Sequence, residues 1–471
     1  MKRSFEGWLT RGALVVILAL GLVGCSTYKG QNKIAQHWQA SNLAMAEKEA
    51  TARANKKAGS KDSIIWRLEE AAVLRAAGKL QESNKSFDQA EERINKYAEE
   101  AKTKLGNEAG ALLSNQANLP YRGRAYDGIM LNTYKALNYL QLGDPDKARV
   151  ELSRAYQRQK DAVEDNKKAI EKTQDAVAKQ KAEDKKKIEK AQENPKYKSQ
   201  MDSSYGDLDK LKAYGDYVNP FTVYLDGLFS LATASGPSDL ERARKDFERA
   251  NSFASDNKFV KADLEAMDGV QQGKAVPPTT YVIFETGCAP IRDQIRIDIP
   301  IIVTSVSYVG AAFPKLKPQE GYAPSLNVTG TGCSETTAMV CSMDSVIGLD
   351  FKNELPTIIA KTLASTIVKA AAATAINEAA RQQSSEAYII SKLVTAGAQA
   401  AVNIADLRTW TTLPKEFQVC RIATPEDRKI ELSTGGGQRI PVTIADGTYN
   451  VVYVKNISSA GPLLVSQMKL K

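Results

Sequence analysis

The sequence predicts an α+β fold in which N-terminal helical repeats, interrupted by a charged helical insertion, precede a β-rich C-terminal domain holding an Ala-rich helical pair. Three observations predict it. Two stretches of the first half align with each other at matching small, large and turn positions. A long run of alternating acids and lysines follows the second stretch. Near AVPPTT, residues 275–280, β-branched segments and glycine turns replace the helical texture. A chain of 471 residues exceeds one ordinary core, so two or three domains are expected, and 43% hydrophobic with 7% aromatic content favours Ala-rich helices over an aromatic core. The net charge of +9 arises largely in mixed-sign segments such as KKAIEKTQDAVAKQKAEDKKKIEK, whose interspersed acids mark a solvated face and not a nucleic-acid footprint.

The chain opens with Lys2, Arg3 and Arg11, then an apolar stretch from Gly12 to Gly24 that is too short to span a bilayer, the pattern of a secretory signal. Leu22, Val23, Gly24 and Cys25 resemble the lipobox of bacterial lipoproteins, which implies cleavage after residue 24 and attachment of acyl chains at Cys25. A plain signal peptide or an uncleaved anchor, with an incidental cysteine, is the alternative. Several acyl chains tether a protein far more firmly than one. Ser26, standing where an aspartate would signal inner-membrane retention, points to the outer membrane, and the polar TYKGQNK that follows reads as a tether leading into a first helix by residue 59.

The repeats occupy 60–275. With Gly78 set against Gly143, Ala71 matches Ala136, Leu74 matches Tyr139, Ser83 matches Ala148, Phe87 matches Leu152 and Ala90 matches Ala155. Small residues for close helix crossing, a large one to fill the gap and a glycine at the turn are the requirements of a tetratricopeptide repeat. A third copy carries Ala243, Phe247 and Ala250 after a longer turn. Ordinary antiparallel helices with alanine at their crossings are the plainer alternative. Between the second and third copies, at about 158–215, charges alternate at helical distances while apolar residues are sparse, which reads as a projecting helix or helical hairpin broken at Asn194 and Pro195, against disorder as its rival.

In 276–471, YVIFETGCAP, IRIDIPIIVTSVSYV, RKIELS, QRIPVTI and TYNVVYVKNI read as strands, and TGGGQ and ADGT as turns that join the last three into a meander. The triple glycine lacks the lysine of a phosphate loop. The helical pair, at about 354–404, is interrupted by Lys361 and Lys369, which argues against a membrane span and for packing on the sheet, a membrane-touching hairpin being the rival. With Cys25 lipidated, Cys288, Cys333, Cys341 and Cys420 remain, an even set that suggests two disulfides in an oxidising compartment. Cys333 with Cys341 and Cys288 with Cys420 is one of three connectivities. A metal site is not expected, since no CxxC occurs and the single histidine, His37, lies near the N-terminus. No cofactor is expected.

The segment YDGIMLNTYKALNYLQLGDPDKARVELSRA, the strand FETGCAP, DFKNELP and above all ADLRTWTTLP resemble a family of uncharacterised proteobacterial outer-membrane lipoproteins with tetratricopeptide repeats. The most specific motif is Asp406, Arg408, Trp410, Leu413 and Pro414, with Glu285, Gly287 and Pro290 as a second patch. The resemblance carries no catalytic role; genomic proximity to lipoproteins that resemble activators of penicillin-binding proteins implies a link to cell-wall assembly. Asp406 and Arg408 read as an ion pair at a helix-to-strand corner with Trp410 beside it, or as a contact for a partner. The functional expectation is a non-enzymatic, protein-binding scaffold, lipid-anchored in the outer membrane and facing the periplasm, with envelope proteins or peptides as partners and no nucleic acid. The alternative is an envelope hydrolase working through carboxylates of the C-terminal domain, which requires those acids to converge in a cleft.

Overall fold

The computed structural model describes residues 27–103, 116–179, 182–212, 214–274, 276–303, 306–385, 388–389, 391 and 404–471. The signal segment, Cys25 and most of the second Ala-rich helix lie outside the described residues. Helix α1 spans 27–39. It is followed by α2 (Leu43–Lys56), α3 (Ser63–Ala76), α4 (Leu80–Thr103), α5 (Ala125–Gln141) and α6 (Pro145–Ala178). The stretch after Cys25 is therefore no tether. Thr27 and Gln31 are buried, and Ile34 and Trp38 join the core.

Helices α3 and α4 form one antiparallel pair and α5 and α6 another, with α4 packed on α5. The turns are the same turn. Gly78 and Gly143 both have φ of +76°. Lys79 N donates to Leu74 O and Asp144 N to Tyr139 O, each at 2.9 Å, the six-to-one bond of a glycine-capped helix end. Ala71, Ala90, Ala136, Ala148 and Ala155 have no exposed surface, and Phe87 and Leu152 fill the same place in the two pairs. The third pair, α9 (Pro220–Ala232) and α10 (Pro237–Phe253), buries Ala243, Phe247 and Ala250 in the same way, and α11 (Lys258–Gln271) packs on its end. Asn219 and Asn257 cap the starts of α9 and α11 by accepting backbone N–H bonds.

The strands are β1 (Thr279–Thr286), β2 (Ile291–Val303), β3 (Val306–Lys317), β4 (Asn327–Gly330), β5 (Cys333–Thr336), β6 (Ala338–Ser342), β7 (Glu416–Ala423), β8 (Lys429–Ser433), β9 (Arg439–Thr443), β10 (Tyr449–Asn456) and β11 (Leu464–Lys469). They form a five-stranded sheet ordered β11-β10-β1-β7-β6, a four-stranded sheet β5-β4-β8-β9 and the ribbon β2-β3. The expected meander stops at β9. β10 leaves for the other sheet, where it pairs with β1 in parallel. Every residue of β10 and of β1 is buried, and strands with both faces covered belong inside a sheet, not at its rim.

The charged insertion does not project bare into solvent. α6 runs for 34 residues, and α7 (Ala182–Glu193) and α8 (Pro195–Tyr205) return along it. α7 and α8 pack on β2, and both α6 and α7 pack on α12 (Met343–Gln383). Together they enclose a second, smaller core of Ala176, Ile188, Ala191, Tyr197, Tyr205, Ile297, Ile299, Phe313, Phe351, Leu363 and Ile367. The sparse apolar residues of the insertion suffice because β2, β3 and α12 supply most of that core. α12 begins earlier than the expected 354, at a Ser342 cap, and continues through Pro356 for 41 residues. Pro356 deprives only the carbonyl of Lys352, an exposed residue, of its helical partner.

Candidate functional site

The first helices of the three pairs, α3, α5 and α9, share the face that a repeat array offers to ligands. Here that face is covered by the protein itself. Every residue of α9 and most of α5 are buried. Phe221 of α9 stacks on Phe417 of β7 with centroids 3.9 Å apart and planes 1° from parallel. Tyr224 of α9 and Tyr281 of β1 both donate to Asp263 of α11, at 2.8 and 3.0 Å. The five-stranded sheet fills one end of the groove, and the irregular segment 404–414 fills the other.

That segment contains the DxRxWxxLP motif, and it lies in the groove as an extended peptide would. Trp410 is 1% exposed, wedged edge-on against Phe87 and Tyr134, each ring 5.9 Å away, so a repeat residue from each of two pairs grips it. Its indole N–H donates to Thr412 Oγ1 at 2.9 Å. Glu69, fully buried in α3, accepts from Thr411 N (2.7 Å), Thr411 Oγ1 (2.8 Å) and Thr412 Oγ1 (2.8 Å). Burial pushes the Glu69 carboxyl up to about 7, against those hydrogen bonds. Gln31 of α1 donates to both Glu69 and Thr409 O. Leu413 has no exposed surface, and its carbonyl accepts from Ala289 N at 2.9 Å. Pro414 and Pro290 are buried too.

Arg408 is the hub. Its guanidinium donates to Asp406 (2.7 and 2.8 Å), to Asp62 Oδ1 (2.7 Å), and to the carbonyls of Leu119 (2.7 Å) and Gln116 (3.1 Å), which uses all five N–H groups. Burial alone would raise the Asp406 carboxyl, but Arg408 beside it holds it down at about 2. Thr27 donates to Asp62 at 2.8 Å, so the first described residue is anchored at this hub. Arg124, just before α5, joins Glu354 of α12 at 2.6 Å, and Arg292 of β2 joins the same carboxylate at 2.7 Å. α1, α3, α5, β2 and α12 therefore meet at one charged junction.

The second patch lies at the other end of the segment. Glu285 is 1% exposed and accepts from Tyr134 Oη at 2.7 Å, from Tyr453 Oη and from Lys455 Nζ. Burial opposes its ionisation, yet Lys455 and the nearby Arg75 outweigh that and keep the carboxyl below its ordinary range. Gly287, at φ +72°, leaves no room for a side chain, since a Cβ there would lie 2.8 Å from that of Tyr322 and 2.9 Å from that of Lys415. The two patches are joined through Tyr134, which contacts both Trp410 and Glu285.

The expected disulfides do not form: all four described cysteines are free. Cys333 lies on β5 and Cys341 on β6, in different sheets. Cys341 points at Asn219 and Cys288 at the carbonyl of Ile457. Cys420 neighbours Cys333, not Cys288. Burial pushes the Cys288, Cys341 and Cys420 thiols up to about 12, which makes them poor nucleophiles. Among the described residues no group of three or more metal-ligating side chains converges.

Glu69, Asp62, Arg124, Glu354 and Arg292 complete the junction without having been singled out in the sequence. Glu69 carried a signal, since an acid at helical spacing from Ile65 and Val73 sits on an apolar face. No family model matches the chain, and no curated protein matches it. Among solved structures the chain is similar to a tetratricopeptide repeat protein from Parabacteroides merdae ATCC 43184, at 16% identity over 51% of this chain and 98% of that one, with a TM-score of 0.14. A TM-score of that size carries no argument; the repeat architecture rests on the matched turns and crossings within this chain.

Proposed function

We propose that this is a non-catalytic scaffold of the bacterial envelope, acylated at Cys25, held at the outer membrane and facing the periplasm, as the lipobox and the resemblance to outer-membrane repeat lipoproteins imply. The observation that supports the scaffold reading best is the self-filled groove. Asp406 is tied to Arg408, Glu285 to Lys455, and Glu354 to two arginines, so these carboxylates hold the fold together and are not presented in a cleft. That arrangement weighs against the hydrolase alternative. Because segment 404–414 and the sheet occupy the inner face of the repeats, envelope partners are read by the outer helices of the repeats, and not by the groove. Crosslinking in intact cells from surface positions of α4, α10 and α6 tests this. Partners are expected from those sites. Recovery of partners only from positions lining the groove would refute it. Acylation is tested separately, by the mass of the N-terminal peptide of membrane-derived protein.

A further inference from the structure

Helix polarity places the insertion beside the chain's N-terminal end. Thr27, Asp62, Arg408, Arg124 and Glu354 are linked by successive contacts at the end of the repeats where α3 and α5 begin. α6 runs antiparallel to α5, and Arg158 already reaches Asn132, one to two turns from the start of α5. The rest of α6, to Ala178, therefore continues beyond that end, by about 24 Å at 1.5 Å per residue. α12 passes Asn219 and Met130 at its start, reaches Arg124 at Glu354, and continues alongside the distal half of α6. The second core is thus an arm rooted at the hub to which Thr27 is bound.

Only Ser26 separates Thr27 from Cys25, a reach of about 7 Å. Acylation at Cys25, the reading on which this inference rests, would put the membrane surface at the root of the arm. An arm that continues past the lipid-bearing end of the repeats is then on the side of the molecule that faces the bilayer. Its chemistry agrees. Around the α6–α7 end, exposed Lys179, Lys186 and Lys190 together with half-buried Lys185 and Lys187 outnumber the exposed Asp175, Glu189 and Glu193, and the distal part of α12 exposes Ile376 by 54%. Among the described residues α12 is the one helix long and apolar enough to cross a membrane by length and composition. Lys361 and Lys369 within it fit a surface position better than a span.

We propose that this arm is a membrane-contacting element, in which the lysines of the α6–α7 end attract anionic headgroups and the distal face of α12 rests in the interface. The test uses the chain beginning at Ser26, which has no acyl group, floated with phosphatidylglycerol–phosphatidylcholine vesicles and with phosphatidylcholine alone. Binding is expected to the anionic vesicles and to fall with added salt. Combined Lys179→Glu, Lys186→Glu and Lys190→Glu should lower the partition coefficient by at least about tenfold, and Ile376→Asp should lower it severalfold, with melting midpoints unchanged. Equal binding to neutral vesicles, no binding at all, or variants that bind as the parent does would overturn the proposal, as would loss of a protein crosslink without loss of vesicle binding. Absence of vesicle binding with Cys25 acylated in cells rejects the arm alone; vesicle binding with an unmodified Cys25 rejects the anchor alone.

Discussion

Glu69 shows how much the groove-filling segment depends on single side chains. Among the described residues its carboxylate accepts from Gln31, Thr411 and Thr412 and is paired with no cation. Its folded pKa is raised to about 7 from an unfolded value near 4.5. A raised carboxyl binds its proton more tightly when folded, so its contribution is fully present below pH 4.5 and is lost as pH rises through 7. The loss is at most roughly 3 kcal/mol. Asp127 and Asp263, both raised to about 6 by burial, act in the same direction. Urea midpoints of the parent should fall from pH 4.5 to 7.5, and Glu69→Gln should flatten part of that slope; a slope unchanged by the substitution would show that the carboxyl does not titrate with the fold. Arg408→Ala has a different sign of argument. It strands Asp62 and Asp406 and two carbonyls in a buried corner, at a cost of about 3–5 kcal/mol, read from the same denaturation curves at neutral pH. Arg408, Asp406 and Trp410 stood out in the sequence because their spacing is distinctive. Their partners did not, since Asp62 lies 346 residues before Arg408 along the chain and nothing local marks a long-range ion pair.

At the scale of elements, the repeats were legible because each depends on local rules. Gly78 and Gly143 terminate α3 and α5 in a left-handed conformation that costs other residues roughly 1–2 kcal/mol. Gly143→Ala should therefore lower the unfolding free energy by about that amount. Gly236, extended at φ −171° with open space around it, is the internal control, and Gly236→Ala should change stability by less than about 0.5 kcal/mol. Ala136→Leu should overpack a crossing with no free surface, at about 1–3 kcal/mol. Equal midpoints for Gly143→Ala and Gly236→Ala would contradict the matched-turn geometry. Where sequence reading failed, long-range pairing decided the outcome. TYNVVYVKN was placed in a meander by the turns beside it, but its two buried faces took it to the centre of the larger sheet next to β1. The stretch after Cys25 looked like a tether because α1 buries polar residues, Thr27 and Gln31, whose partners Asp62 and Glu69 lie two elements away.

For the whole molecule, the consequence is two cores of unequal kind. The main core joins all three repeat pairs to both larger sheets, while the second holds only the arm. Read alone, the insertion offers too little apolar surface to fold. It folds because Ile188, Ala191 and Tyr197 meet Phe313 of β3 and Leu363 and Ile367 of α12. Removing about 161–198 would thus not be silent: it would strip one wall from the ribbon β2-β3 and from α12, leaving Phe351, Leu363 and Ile367 open to water. A milder change separates the two cores. Ile188→Ala removes a side chain that is 5% exposed, at about 2–5 kcal/mol of local stability. Among the described residues the arm's larger helix contacts with the main body are those of α6 and α12, and its opening need not pass through the sheet. Hydrogen exchange in Ile188→Ala should accelerate in α7, α8, β3 and the 355–370 portion of α12, by at least about tenfold, while β1 and β10 keep their protection. Equal loss of protection in β1 and β10 would mean that the arm and the repeats unfold as one unit, and the arm would then lack the independence that lying along a membrane surface requires.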